Sequence, residues 1–236
     1  LINKDMKIGI EANTVNINVY DQLVQVLPHV QWEKIQDIIG ELAAVKDAHE
    51  INSLKTAIEI TDVVFDKILP ELKIGAVEKE IAAKISYLFK MNGAEGDSYD
   101  PIIGSGYLGA LPHAQPSSKQ FESGDFVVMD FGALYNGYHA DMTRTVLIGP
   151  ATEKHEQIYN IVLEAQLNGI KKIKSGTTGK NADAYSRDII KKAGYGEAYG
   201  HAGGHGIGLD IHETPSLSEN FAKKFKENTV VTVEPG

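Results

Sequence analysis

Three carboxylates and one imidazole stand where their types could bind a divalent cation. Asp130 lies inside the apolar run Phe126-Val127-Val128-Met129-Asp130-Phe131, and Asp141 opens Asp141-Met142-Thr143-Arg144-Thr145. His205 is flanked by glycines in Gly204-His205-Gly206-Ile207-Gly208, and Glu234 closes Val230-Val231-Thr232-Val233 just before Pro235-Gly236. A carboxylate inside an apolar strand is costly unless it is paired or coordinates a metal. The competing partner for the aspartates is Arg144, which two carboxylates would have to share. His205 taken alone reads as a turn histidine. Taken together, Asp130, Asp141, His205 and Glu234 form a mostly oxygen ligand set suited to Mn, Fe, Co or Zn.

The elements that must position these residues are legible in part. Tyr135-Asn136-Gly137-Tyr138 is a strong hairpin signal. A two-residue turn there, without a bulge, sets Gly132 opposite Asp141 and Asp130 opposite Thr143. The aspartates are then diagonal neighbours on one face, about 7–8 Å apart at the backbone. The return strand is expected over 139–148. Apolar spacing predicts a helix from Asp47 to Leu72, with Pro70 able to shorten it, and another from Val77 to Met91, closed by Asn92-Gly93. Thr152 is expected to cap a helix from Glu153 to about Lys174, closed by Gly176. A further helix is expected over 181–192, ending at Gly194. Residues 97–109 read as loop or edge strand. After the Gly-rich stretch 200–208 come a polar segment and a last strand over 229–234. Helix pairs alternating with antiparallel hairpins give an α+β fold.

Residues 1–40 differ from the rest. They suggest a strand at Lys7–Ile10, a helix from Val19 to Leu27 ended by Pro28, and a strand or short helix over 32–39. This is too little chain to bury its own core, since domains below about 40 residues usually need staples. Residues 1–40 are therefore expected to be the C-terminal remnant of an N-terminal domain, and 41–236 a second domain that carries the candidate metal ligands. The chain has 236 residues, is 42% hydrophobic and carries a net charge of -9. No apolar run is long enough for a membrane span, and Leu1-Ile2-Asn3-Lys4-Asp5 lacks a signal peptide's apolar core. The acidic balance without a basic cluster argues against nucleic-acid binding. No cysteine is present, which excludes thiolate chemistry and disulfides and fits a reducing cytoplasm.

Seven blocks in register carry a resemblance over about residues 42–236. They are Val45-Lys46-Asp47 with Glu50-Ile51, Leu111-Pro112-His113, Met129-Asp130-Phe131-Gly132, and Asp141-Met142-Thr143-Arg144-Thr145. Gly204-His205-Gly206-Ile207-Gly208-Leu209, Ile211-His212-Glu213-Thr214-Pro215 and Glu234-Pro235-Gly236 complete them. The chain resembles the metallopeptidase family with the pita-bread fold, in which helix pairs pack on a curved antiparallel sheet. That family includes Xaa-Pro aminopeptidases, Xaa-Pro dipeptidases and methionyl aminopeptidases.

The resemblance implies two divalent ions (Mn, Co or Zn). By this analogy Asp130 chelates one ion, Asp141 bridges both, and His205 and Glu234 bind the other. The family's fifth ligand, a bridging Glu on a following strand, lies beyond Gly236. The C-terminally truncated stretch 1–236 is therefore expected to be incomplete and inactive by itself. The implied chemistry is hydrolysis of N-terminal Xaa-Pro bonds by a metal-activated hydroxide. Glu234 would be its base, and His113 and His212 would serve the tetrahedral intermediate and the leaving nitrogen. The alternative reading of His113 and His212 is as plain loop histidines.

The expected partner is a peptide with proline second, and the family's habit implies a homodimer. Methionyl aminopeptidase and a non-catalytic peptide-binding module are the alternatives. His201 is a second candidate beside the site, and Tyr99, Tyr107, Tyr138 and Tyr199 are candidates for a proline pocket. Arg144 is a candidate hydrogen-bond donor to a ligand aspartate. His29, His49, His139 and His155 read as surface or packing residues.

Overall fold

Asp47 starts the first long helix. Its carboxylate accepts from the His49 and Glu50 amides, while the Glu50 side chain accepts from the Asp47 amide at 2.7 Å, a reciprocal capping box. A computed structural model describes residues 6–35 and 38–236. The helix that follows the cap, α3, spans Ala48–Ile68, and Pro70 does shorten it: the chain tightens into a 3-10 turn over Leu69–Glu71. Helix α4 spans Glu78–Met91 and stops where Gly93 takes a positive φ of 94°.

The chain divides into two units, Leu1–Ala43 and Ala44–Gly236. In the first, strand β1 (Lys7–Glu11) runs parallel to β2 (Gln31–Ile35), with helix α1 (Ile17–Val26) between them in sequence. Asn16 caps α1 through the Val19 amide. Helix α2 covers Ile38–Ala43. The expected helix over 19–27 thus begins two residues early, and the element expected over 32–39 is a strand to Ile35, then a helix from Ile38. Residues 36 and 37 lie outside the described residues, as do Leu1 to Asp5.

In the second unit, β3 is Gly96–Asp97, β4 Ile102–Ser105, β5 Phe126–Phe131, β6 Ala133–Tyr135, β7 Tyr138–His139 and β8 Met142–Leu147. They form two antiparallel three-stranded sheets, β4-β5-β8 and β3-β6-β7. Period-2 alternation decides the rest. Val127, Met129 and Phe131 point to one face and are fully buried against α3 and α4, with Ile60, Val64, Ile68, Ile81, Ile85 and Phe89. Phe126, Val128 and Asp130 occupy the opposite face.

Helix α5 (Glu153–Lys172) follows its Thr152 cap, and α6 (Gly179–Lys192) starts two residues before the expected point because Thr178 caps it through the Asn181 amide. The two helices cross closely: the Ser186 hydroxyl donates to the Ala165 carbonyl at 3.0 Å. The Gly-rich stretch contains strand β9 (Gly204–Gly206), paired antiparallel with β10 (Glu213–Leu217). The segment read as merely polar therefore contains a strand.

The expected strand over 229–234 is not regular. Residues 230–234 lie antiparallel beside β9 through Ile207 N to Val230 O at 3.3 Å, Thr232 N to His205 O at 2.8 Å and Glu234 N to Gly203 O at 3.0 Å. Isolated bridges join Val45 to Thr229 and Gly206 to Val231. The sequence shows a strand's composition there, but a ladder needs paired neighbours, and among the described residues this segment is bonded only here and there.

One buried acid is structural. Glu78, fully buried in the first turn of α4, accepts from the amide and hydroxyl of Ser105 and from the amide and hydroxyl of Ser117, at 2.6–2.9 Å. Burial pushes its carboxyl up, but these bonds outweigh burial and hold it below the usual glutamate range. The stability this carboxylate contributes is present above that range and is lost as pH falls through it. E78Q sets an amide N–H against donors and is expected to cost about 2–4 kcal/mol in urea unfolding. A loss within error would sink this account.

Candidate metal centre

The hairpin forms the first wall of the site. Asn136 and Gly137 both take positive φ, 52° and 76°, as a type I′ turn requires. The register runs from Tyr135↔Tyr138 to Asp130↔Thr143 without a bulge. At the crossing point a Cβ on Gly132 would sit 1.8 Å from the Ala140 carbonyl oxygen, so only glycine fits opposite Asp141. Asp130 and Asp141 then share one face, away from the helix core.

A tyrosine joins them. The Tyr99 hydroxyl lies against Asp130 Oδ1 and 2.9 Å from Asp141 Oδ1, contacting both carboxylates at once. Burial, then the Asp130 and Asp141 charges, push the phenol's pKa far up, so it stays a donor. Tyr99 comes from the stretch after β3. Its spacing to the aspartates carried no sequence signal, and it stood only among four tyrosines offered for a substrate pocket.

The second wall is β9 with residues 230–234. Gly204, at φ 152°, lets the chains close: a Cβ there would lie 2.2 Å from the Thr232 carbonyl oxygen. This brings His205 Nε2 to 3.3 Å from Asp141 Oδ2 and 3.3 Å from Glu234 Oε1. One ligand atom from each of Asp141, His205 and Glu234 lies within 4.8 Å of the others. His205 Nδ1 is 3.0 Å from the Gly206 carbonyl, which can only accept, so Nδ1 carries a proton and Nε2 is the nitrogen that faces the carboxylates, donating to Asp141 when the ring is protonated and free to bind an ion when it is neutral. The Thr232 hydroxyl bonds Glu234 Oε1 at 3.1 Å.

The electrostatics are those of crowded acids. Burial and the Asp141 charge push the Asp130 carboxyl up to about 7, against the pull of the Tyr99 bond. Burial and Asp141 also raise Glu234. For His205 burial works downward, but the Asp141 bond, the Gly206 carbonyl and the Glu234 charge win and raise it. None of the strongest influences on Asp130 is a cation. A hard or borderline divalent ion would neutralise this cluster, and three carboxylates with one imidazole lone pair fit it.

The remaining candidates divide. His212 packs against His205 at 4.2 Å between ring centroids with the ring planes tilted by 54°, and burial and His205 push its pKa down. His113 is exposed, and its charge reaches both His201 and His212. His201 donates Nδ1 to the Ala202 carbonyl and stands edge-on to Tyr199. Arg144 does neither job offered for it. It pairs with Met129 in register, so its side chain leaves the face opposite Asp130 and lies over the Phe65 ring, 5.9 Å from the centroid. Of the other tyrosines, Tyr107 is exposed, Tyr138 bonds Glu50 and Tyr199 is buried against Arg187.

The loss of a partner that orients metal ligands typically costs about 10–100-fold in affinity or activity. Y99F is expected to weaken Mn2+ binding by that factor, read by calorimetry. An unchanged affinity would show that the Tyr99 bridge is incidental.

Residues 52–236 match metallopeptidase family M24. The chain is 43% identical over 229 residues to an Xaa-Pro dipeptidase of Pyrococcus furiosus, covering 97% of this chain and 66% of the relative. Its fold matches an Xaa-Pro dipeptidase from Bacillus anthracis with a TM-score of 0.94 at 41% identity, covering 98% of this chain and 64% of that one. It matches an X-Pro aminopeptidase from Thermotoga maritima with a TM-score of 0.88 at 40% identity, covering 98% and 65%. The chain thus spans somewhat less than two thirds of the length of these relatives. Among the described residues no helix is long and apolar enough to cross a membrane.

Proposed function

The chain belongs to metallopeptidase family M24, and from that premise we propose that the whole protein is a metal-dependent exopeptidase cleaving the bond before a proline in second position. The observation that carries this reading is the meeting of Asp141, His205 and Glu234, with Asp130 joined to Asp141 through Tyr99. Asp130, Asp141, His205 and Glu234 would hold two divalent ions (Mn, Co or Zn), together with any ligand supplied outside 1–236. Bound there, the ions would supply Lewis acidity toward the peptide carbonyl and lower the pKa of an attacking water.

The chain's own residues would do the rest. Glu234, beside Asp141 in the cluster, would take a proton from that water and return it. His212, held neutral by burial and by His205, offers an N–H to the developing oxyanion. His113, on an exposed loop, would serve the leaving nitrogen. Residues 1–40 are read as the end of a preceding domain, and the enzyme as a homodimer, which light scattering would check.

The test is hydrolysis of Xaa-Pro dipeptides and longer Xaa-Pro peptides by the full-length protein with Mn2+ or Co2+. Release of Met from Met-Ala peptides in their place would move the protein to the methionyl aminopeptidase branch. Failure to bind Mn2+ would make it a non-catalytic module.

A further inference from the structure

Lys46 and Glu213 form a buried ion pair that lies outside the ligand set. Lys46 Nζ is 2.6 Å from Glu213 Oε2, and the side chains are 1% and 6% exposed. A buried pair of this kind is a weak source of stability, because desolvation offsets the attraction; its best-attested use is to fix a unique arrangement.

The arrangement around it is specific. Glu213 Oε1 accepts from the Asp210 amide at 3.1 Å, so one carboxylate closes the turn 210–213, and His212 sits inside that turn. Glu213 is also the residue paired with Gly206 in the β9–β10 ladder, next to His205. Gly208 packs so tightly here that a Cβ would lie 2.6 Å from Glu213 Oε1 and 2.8 Å from Lys46 Cε. The Gly208 carbonyl accepts from the His139 amide at 2.9 Å, two residues before Asp141. The Lys46 amide donates to the Asn228 carbonyl at 3.0 Å, at the start of the segment that ends in Glu234. Three chain segments that carry site residues therefore meet around this ion pair, one of them bonded by its carboxylate and two by backbone bonds beside it.

The geometry points to Lys46 and Glu213 as positioning residues that hold the His212 ring over His205, at the 4.2 Å seen here. This rests on the peptidase reading for its kinetic consequence but not for its structural one. Of the three segments, only the His212 turn is closed by the Glu213 carboxylate itself. The other two are tied here by backbone bonds, not by the side chains of the pair, so the ligands stay where they are when the pair is removed.

The experiment uses the full-length protein with Mn2+ and a Xaa-Pro dipeptide, and compares E213Q, K46M/E213Q, H212A and H212A/E213Q. E213Q is expected to lower kcat by about 10–100-fold, with Mn2+ affinity much less affected. It orphans the Lys46 charge and so lowers the thermal midpoint. K46M/E213Q removes both charges and regains the midpoint while kcat stays low. In the H212A background E213Q costs no further kcat, because it acts through that ring. Recovery of kcat together with the midpoint, or losses that multiply, would overturn the assignment.

A second readout needs no turnover. The His212 ring protons, shifted by the neighbouring His205 ring, are expected to move toward free-histidine positions in the NMR spectrum of K46M/E213Q. If they stay in place, the proposal fails whatever the kinetics. Should the wild-type protein hydrolyse no Xaa-Pro bond, the peptidase reading fails alone, and this spectrum still decides the clamp.

Discussion

D130N is expected to make the metal-free protein more stable at pH 8 and to destroy its function. Asp130 is buried beside Asp141 and Glu234, and its carboxyl is raised from 3.8 to about 7. Between those values the folded protein holds a proton that the unfolded chain releases. Stability is therefore fully present below about pH 4, falls as pH rises through this window and levels off above about pH 7. The displacement corresponds to about 4 kcal/mol. Asparagine removes the charge that has to be forced into place, so the variant's stability should fall less over the same range, the remaining slope coming from Glu234 and His205, which are also raised. The check is the thermal midpoint of both proteins in EDTA at pH 5 and pH 8. A less stable variant at pH 8 would mean that the crowding of acids costs nothing.

Saturating Mn2+ should close much of that gap, since a ligand at a hundred times its Kd stabilises by about 2.7 kcal/mol. The variant should gain far less from Mn2+, and its hydrolysis should fall by more than the roughly 10–100-fold expected for an outer partner.

The second large effect is predicted at R187M. The Arg187 guanidinium holds Asp183 by two bonds, at 2.6 and 2.8 Å, donates to the carbonyls of Tyr199 and His201, and stacks 4.0 Å from the Tyr199 ring centroid. Asp183 in turn accepts from the Gly203 amide at 3.0 Å. The pair thus fixes residues 199–203, and Gly203 receives the Glu234 amide. Removing Arg187 leaves a carboxylate only 1% exposed without its cation, a loss of about 3–5 kcal/mol. D183N/R187M should recover part of it, because no charge is orphaned. Urea midpoints measure both. A single variant no worse than the double would refute the orphaned-charge argument.

These sites show where a sequence is legible. The Asn136-Gly137 turn, the Thr152 cap and the helix stops at Gly93 and Gly194 rest on interactions within a few residues, so their spacing in the chain is their spacing in space; the stop expected at Gly176 comes earlier, at Lys172. The hairpin register follows from the turn, and with it the placing of Asp130 and Asp141 on one face. Burial of acids in apolar runs marked the need for a cation, because that cost belongs to the residue type.

Contacts across long stretches of chain were not legible. Tyr99 reaches Asp141 over 42 positions, and Lys46 reaches Glu213 over 167. No local pattern records such a pairing, and only the closed fold turns it into a distance. The same holds for Arg144. Its type suited an aspartate partner, but the alternation of the strand sends it to the other face. For residues 229–234 the composition of a strand was present, yet a strand is defined by its neighbours. Side-chain chemistry and local turns, then, were fixed by the order of residues. Which groups share a proton, a charge or a metal was decided by tertiary packing, because those energies depend on separation in space.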